Sequence, residues 1–234
     1  MREKNARYRH ELKYLCTLSD LELLERRISA LLPCDAHWGK EGYTVSSLYF
    51  DTPDRMCLKD NDAGLGVREK YRIRLYNHRL EEIFLEKKEK RYGLGRKISC
   101  RLDEETLFQL YKGEAPDLSK ATPPVLRQLI LQMKTQGMQP SAMIEYERNA
   151  YGGEPGNVRI TFDRNIRAAL KPQSLYEKEH LRCPVLPVGV GLMEVKFDSI
   201  LPDYIRQQLQ LGKLQQTTFS KYALGCKTLD EYWR

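Results

Sequence analysis

Polar and apolar positions alternate along much of the chain, and this period predicts most of its elements. Residues 67–76 read Val-Arg-Glu-Lys-Tyr-Arg-Ile-Arg-Leu-Tyr. Successive strand side chains point to opposite faces. Arg68, Lys70, Arg72 and Arg74 therefore share one face, and Tyr71, Ile73 and Leu75 the other. Comparable runs predict strands at 9–15, 43–50, 83–90, 96–102, 143–151, 158–162 and 192–197. A helical period takes over after residue 19, with Leu21, Leu24, Ile28, Leu31 and Leu32 in one stripe. Ser19 and Glu22 stand at capping-box spacing before it, and Pro33 stops it.

A helix-rich interval is expected over 104–137, with a loop near 113–123 and Pro123-Pro124 opening its second helix. Shorter helices are expected at 202–211 and 219–229. Residues 171–191, rich in Pro and Gly, read as a long irregular connection. Gly64-Leu-Gly66 and Gly93-Leu-Gly95 read as turns, since neither continues as a phosphate loop or a dinucleotide fingerprint. Strands joined by short links, with helices gathered at intervals, predict an α+β fold on an antiparallel sheet. No linker divides the chain, so residues 1–234 are expected to form a single domain.

Composition narrows the class. The 234 residues carry 39 Lys and Arg against 32 Asp and Glu, a net charge of +7. No stretch approaches the roughly 18 apolar residues of a membrane span. The opening Met-Arg-Glu-Lys-Asn-Ala-Arg lacks the apolar region of a signal peptide. The six cysteines and four histidines are scattered, without zinc-site spacing. Reduced cysteines and a cytoplasmic location are expected.

The charge is concentrated in the strands. Arg9, Glu11 and Lys13 share a face, as do Glu86, Lys88 and Lys90. The same holds for Arg159, Thr161 and Asp163, for Glu194 and Lys196, and for Tyr146 and Arg148. One such strand is an ordinary solvated face. Six of them, carrying basic residues and often one carboxylate, predict a polar sheet face made for an anion. Curled toward a barrel, that face would line an interior. The carboxylates could hold Mg²⁺ or Mn²⁺, which take oxygen ligands and bridge phosphates. A polyphosphate-type ligand with a divalent metal follows.

These residues resemble a known pattern, that of the VTC domain. This is the polyphosphate polymerase branch of the triphosphate tunnel metalloenzymes, which also include the CYTH proteins. The resemblance rests on Arg9-x-Glu11-x-Lys13, Ser47-Leu-Tyr49-Phe-Asp51-Thr, Lys70-Tyr-Arg72-Ile-Arg74 and Phe84-Leu-Glu86-Lys-Lys88. It continues through Tyr146-Glu-Arg148, Arg159-Ile-Thr-Phe-Asp163, Met193-Glu194-Val-Lys196-Phe and Phe219-Ser220-Lys221-Tyr222, in family order over about residues 7–225.

The resemblance implies a closed or nearly closed antiparallel β-tunnel of about eight strands, with helices packed outside. It implies transfer of the γ-phosphoryl of ATP to a polyphosphate chain held in the tunnel. Lys13, Arg72, Arg74, Lys88, Arg159 and Lys221 would be catalytic. Lys70, Arg148, Lys196, Ser220, Arg9 and Tyr49 would bind substrate. Glu194 is the first candidate metal ligand for Mn²⁺ or Mg²⁺, followed by Glu86, Glu11 and Asp163. Two other functions compete: hydrolysis of tripolyphosphate or a nucleoside triphosphate in the same tunnel, and non-catalytic binding of polyphosphate or inositol polyphosphates. The expected partners are ATP and polyphosphate, not nucleic acid. A membrane protein that receives the product is left open.

Overall fold

The computed structural model describes residues 3–5, 7–35, 41–169, 182–210 and 214–232. Among these residues ten strands make one antiparallel sheet: β1 (Glu3–Asn5), β2 (His10–Thr17), β3 (Tyr43–Asp51), β4 (Val67–Tyr76), β5 (Arg79–Arg91), β6 (Leu94–Leu102), β7 (Gln139–Gly153), β8 (Val158–Ala169), β9 (Cys183–Pro184) and β10 (Val190–Phe197). Their order is β1-β6-β5-β4-β3-β7-β8-β10-β2, and β9 pairs with β8. The two ends of this order are consecutive in the chain. Asn5 pairs with Ile98 of β6, and Arg9 exchanges two backbone hydrogen bonds of 2.9 Å with Gly95 of the same strand. From His10 the segment pairs with β10 instead. One N-terminal stretch thus lies along both edges, and the sheet curls into a tunnel. The seam at β6 beyond β1 is a single bridge, not a continuous ladder.

Turn chemistry sets the hairpins. Asn77 and His78 both have positive φ (50° and 56°), as do Tyr92 and Gly93 (46° and 91°). Such two-residue turns match the twist of the flanking strands. They let β5 run from 79 to 91, beyond the expected 83–90. Residues 170–181, most of the expected irregular connection, lie outside the described residues.

Six helices accompany the sheet among the described residues: α1 (Leu18–Ser29), α2 (Met56–Asp62), α3 (Glu104–Tyr111), α4 (Pro124–Gln136), α5 (Asp203–Gln208) and α6 (Lys221–Tyr232). The cap of α1 differs from expectation. Thr17, still extended at the end of β2, accepts from the Asp20 amide and donates to the Asp20 carboxylate. Capping therefore begins two residues before Ser19. Leu21, Leu24 and Ile28 are buried against the outer face of β8 and β10, but the helix ends at Ser29 and Leu31 is turned out to solvent. On the outer face of β4 and β5, Gln128 of α4 accepts hydrogen bonds from Tyr71 and Lys87.

The placement of α6 is different. Ser47 and Tyr49 face the tunnel with Arg74 and Arg72. Ile144 pairs with Ser47 and with Ala168, so it shares that face. Gly225 of α6 packs on both, and a Cβ there would stand 2.3 Å from Ile144 Cδ1. This glycine lets α6 settle on the inner face of β7 and β8, where Tyr222, Ala223, Cys226 and Leu229 are buried. Asp51 fastens the arrangement. Its carboxylate accepts from the amides of Thr52, Cys57 and Leu58 and from the Tyr222 hydroxyl at 2.5 Å, joining β3, α2 and α6. Asp51→Ala should orphan these buried donors and lower stability by about 3 kcal/mol. Urea unfolding measures it, and a loss under ~1 kcal/mol would deny Asp51 this role.

Candidate functional site

Strand register sets cations beside cations on the inner face. Lys70 of β4 pairs with Lys88 of β5, and Lys88 with Lys97 of β6. Arg72 pairs with Glu86. On the opposite wall Lys13 pairs with Glu194, Glu11 with Lys196, and Arg148 with Asp163. Lys221 reaches in from the start of α6. Around this centre nine cationic side chains (Lys13, Lys70, Arg72, Arg74, Lys88, Lys97, Arg148, Lys196 and Lys221) stand with four carboxylates (Glu11, Glu86, Asp163 and Glu194).

Two carboxylates are held by guanidinium forks. Glu86 Oε2 accepts from Arg72 Nε at 2.8 Å and Nη2 at 2.6 Å, while Oε1 accepts from Lys97 at 2.8 Å. Arg72 also donates to the Tyr49 hydroxyl at 2.9 Å, and Arg74 to the Tyr146 hydroxyl at 3.0 Å. Asp163 accepts both arms of Arg148 at 2.6 and 2.7 Å, and Lys221 lies 2.7 Å from it. Glu194 is held differently, by the ammonium groups of Lys221 at 2.6 Å and Lys196 at 3.2 Å. Glu11 lies 3.3 Å from Lys13 and 3.9 Å from Lys196. Lys13 also donates to the Phe219 carbonyl, and Lys70 to Ser220 Oγ. Ser220 caps α6, its hydroxyl accepting from the Ala223 amide.

Arg9 and Arg159 stand apart from this centre. Asp198 lies 3.1 Å from Arg9, and Asp35 lies 2.7 Å from Arg159. Arg159 also donates to the Tyr43 hydroxyl. The sequence places Tyr146 beside Arg148 without assigning it a role, and does not mark Lys97. Tyr146 holds Arg74 through its hydroxyl and offers its ring to Arg148 and Lys221, at 5.0 and 4.8 Å from its centroid. Its position two residues before Arg148 on one strand face was the available signal.

Burial and crowding of like charges act together on these lysines. Burial, together with Arg68 and Lys13, pushes Lys70 down to about 8, despite Cys57 and Asp51 nearby. Burial also lowers Lys88 well below the ordinary lysine range, with Arg72 and Lys196 adding to it. Lys88 has no ion pair or hydrogen bond among the described residues. Lys196 is lowered as well, chiefly by burial. Lys221 moves the other way: burial opposes its charge, but Asp163 and Glu194 outweigh it and raise the ammonium above its ordinary value. Burial likewise opposes ionisation of Glu194 and Glu86, yet the neighbouring cations hold both carboxyls well below the usual range.

Among the described residues no three Asp, Glu, His or Cys side chains gather into a metal-binding group. Two carboxylates on adjacent strands do suit a hard cation. Glu11 Oε1 is buried and, among the described residues, accepts no hydrogen bond, with only the Lys13 and Lys196 ammonium groups near it, and Glu194 is held by flexible lysines that can turn toward an incoming anion. Mg²⁺ commonly takes one or two protein carboxylates and completes its shell with phosphate and water. Glu11 and Glu194 fit that pattern. Glu86 and Asp163 have both oxygens engaged by forks and ammonium groups.

The order of these residues matches a family model, that of the VTC domain, over residues 8–230. The chain belongs to the VTC domain family. Solved structures show the same architecture. A Hippeastrum protein described as a candidate adenylyl cyclase with a dominant triphosphatase activity superposes with TM-score 0.54 at 15% identity, over 94% of this chain and 95% of its own. The PH1819 protein of Pyrococcus horikoshii OT3 superposes with TM-score 0.51 at 13% identity, over 95% and 98%. A Vibrio parahaemolyticus protein described as a candidate adenylate cyclase gives TM-score 0.51 at 11% identity, over 94% and 98%. At such identities the likeness is one of fold. No curated protein matches the sequence. The VTC domain described here therefore has the triphosphate tunnel fold. No helix among its described residues is long and apolar enough to cross a membrane.

Proposed function

We propose that this VTC domain is a metal-dependent polyphosphate polymerase that moves the γ-phosphoryl of ATP onto a polyphosphate chain in the tunnel. The observation that carries this reading is the lysine wall, in which Lys70 and Lys88 oppose each other across β4 and β5 with no ion pair to a carboxylate among the described residues. Lys70 and Lys88 are half-buried on the tunnel face, and burial pushes both toward deprotonation; Lys196, also half-buried, is lowered too although Glu194 lies 3.2 Å away. A linear anion of high charge density would complete them.

The residues divide the work. Arg72 and Arg74, already aimed by Glu86, Tyr49 and Tyr146, grip phosphate oxygens through their remaining donors. Lys13, Lys70, Lys88 and Lys196 add point charges, and Arg148 and Lys221 are oriented by Asp163. Glu86 and Asp163 are positioning residues. Glu11 and Glu194 would hold Mn²⁺ or Mg²⁺, which supplies charge neutralisation on the phosphates when bound. Ser220 and Lys221 approach from the start of α6, where free amides favour anions. Tyr49 is a positioning residue for Arg72, and Arg9 and Arg159 contribute at the margins of the site. No nucleophilic side chain is required, since the attacking group is an anionic phosphate oxygen. Alignment and charge neutralisation supply the catalysis.

One observation keeps a second reading in view: a protein of similar fold is described as a triphosphatase. Water would then be the acceptor. Incubating the pure protein with ATP and Mn²⁺ or Mg²⁺, then resolving the products, separates the two. Long chains with little free phosphate support the polymerase. Free phosphate alone replaces it with the hydrolase, and tight polyphosphate binding without turnover leaves a binding module.

A pH dependence follows. A bound polyanion favours charged lysine and raises the Lys70 value from about 8. Binding should therefore take up protons above that pH, and affinity should fall as pH rises through it. Calorimetry in two buffers of different ionisation heat detects the uptake. An affinity that stays flat between about pH 7 and 10 would contradict the charged-lysine wall.

A further inference from the structure

The cation ladder continues past the residues assigned above. One step of about 6.6 Å along β4 and β5 from Lys70 and Lys88, register sets Arg68 opposite Lys90. Both are half-buried and lie on the tunnel face. A directly opposed like-charge pair weakens a sheet, and here two such pairs follow one another. Among the described residues neither Arg68 nor Lys90 has a carboxylate partner. Arg68 makes one hydrogen bond, to the Leu65 carbonyl, and Lys90 makes none. Lys90 feels Arg68 and Lys13 as neighbouring charges and Glu11 as the opposing one, and Glu11 is already shared between Lys13 and Lys196.

The third strand leaves room beside them. Lys90 pairs with Gly95 of β6, which in turn pairs with Arg9 across the seam. A Cβ on Gly95 would stand 3.5 Å from Glu11 Oε2, so any longer side chain would fill the space between Lys90 and the N-terminal segment. Its absence leaves a side-chain-free floor next to two cations without counterions.

We infer that Arg68 and Lys90 form a further phosphate subsite, which takes units of a linear polyphosphate beyond the triphosphate gripped at the centre. The proposal rests on the tunnel reading and deepens it, because it makes chain length a determinant of affinity. A triphosphate at the centre leaves the subsite empty, and a longer chain gains its contacts.

The test compares tripolyphosphate with linear hexaphosphate by calorimetry, on the wild-type protein and on the Arg68→Ala/Lys90→Ala variant. Relief of like-charge repulsion means the variant should melt no lower than wild type. The expected result is a loss of about tenfold or more for hexaphosphate and less than about threefold for tripolyphosphate. Gly95→Leu, which fills the floor without changing charge, should reproduce the selective loss. Equal losses for both anions, or none for hexaphosphate in either variant, would overturn the subsite while leaving the tunnel reading in place. Wild-type protein that binds neither anion would overturn both.

Discussion

Glu194→Gln is expected to reduce turnover of ATP by about a thousandfold or more, while triphosphate still binds. Glu194 stands where the ammonium groups of Lys196 and Lys221 meet. Its partner on the adjacent strand is Glu11, whose buried Oε1 has no hydrogen bond among the described residues. A glutamine there keeps the volume but removes the negative charge, and with it one of the two carboxylates suited to a divalent cation. Lys221 would keep Asp163 as a partner, so the lysine wall should persist and anion affinity should hold or rise slightly. Steady-state turnover and metal-free calorimetry check the two halves separately. Activity within about threefold of wild type would remove Glu194 from this role.

Arg72→Ala and Arg74→Ala should act on binding. Each guanidinium is buried, aimed by a carboxylate and a phenol, and faces the interior. Losing one charge-assisted fork should weaken triphosphate binding by about thirtyfold or more. Arg72→Ala carries a second cost. It strips two hydrogen bonds from Glu86, a carboxylate that is 1% exposed. Removing one member of a buried ion pair costs about 3–5 kcal/mol, softened here by Lys97 and Arg74, which remain near Glu86. Arg72→Lys separates the effects, since it keeps the charge and loses the fork. Its affinity should fall between wild type and Arg72→Ala. Wild-type affinity in both alanine variants would take β4 out of the binding wall.

Much of this was legible in the chain, and for a physical reason. Alternation in β4 assigns Arg72 and Arg74 to one face without knowledge of the partners, because a strand permits only two faces. The antiparallel α+β class follows from such runs and their short links. Pairing is another matter, since it is set by register between distant segments. That Lys88 lies between Lys70 and Lys97 depends on three strands at once, and nothing local to Lys97 marks it. An amphipathic period likewise gives a helix a buried stripe without saying which side of a sheet receives it. The inner position of α6 depends on Gly225 meeting Ile144 and Ala168. Alternation sets Tyr146 beside Arg148, but its hydroxyl acquires a role only when Arg74 arrives from β4.

The seam bears on how the molecule assembles. β2 finds its ladder with β10, Thr17 against Val190 and His10 against Phe197. These partners lie far apart in sequence, and long loops must close before such contacts form. β2 leaves the ribosome well before β10, so its edge waits unpaired while the intervening hairpins form. The local pairs β4–β5 and β5–β6 can zip first, and the N-terminal strand completes the wall late. Folding of this domain should thus be slow for its size. Its period of greatest exposure to aggregation falls between synthesis of β2 and arrival of β10.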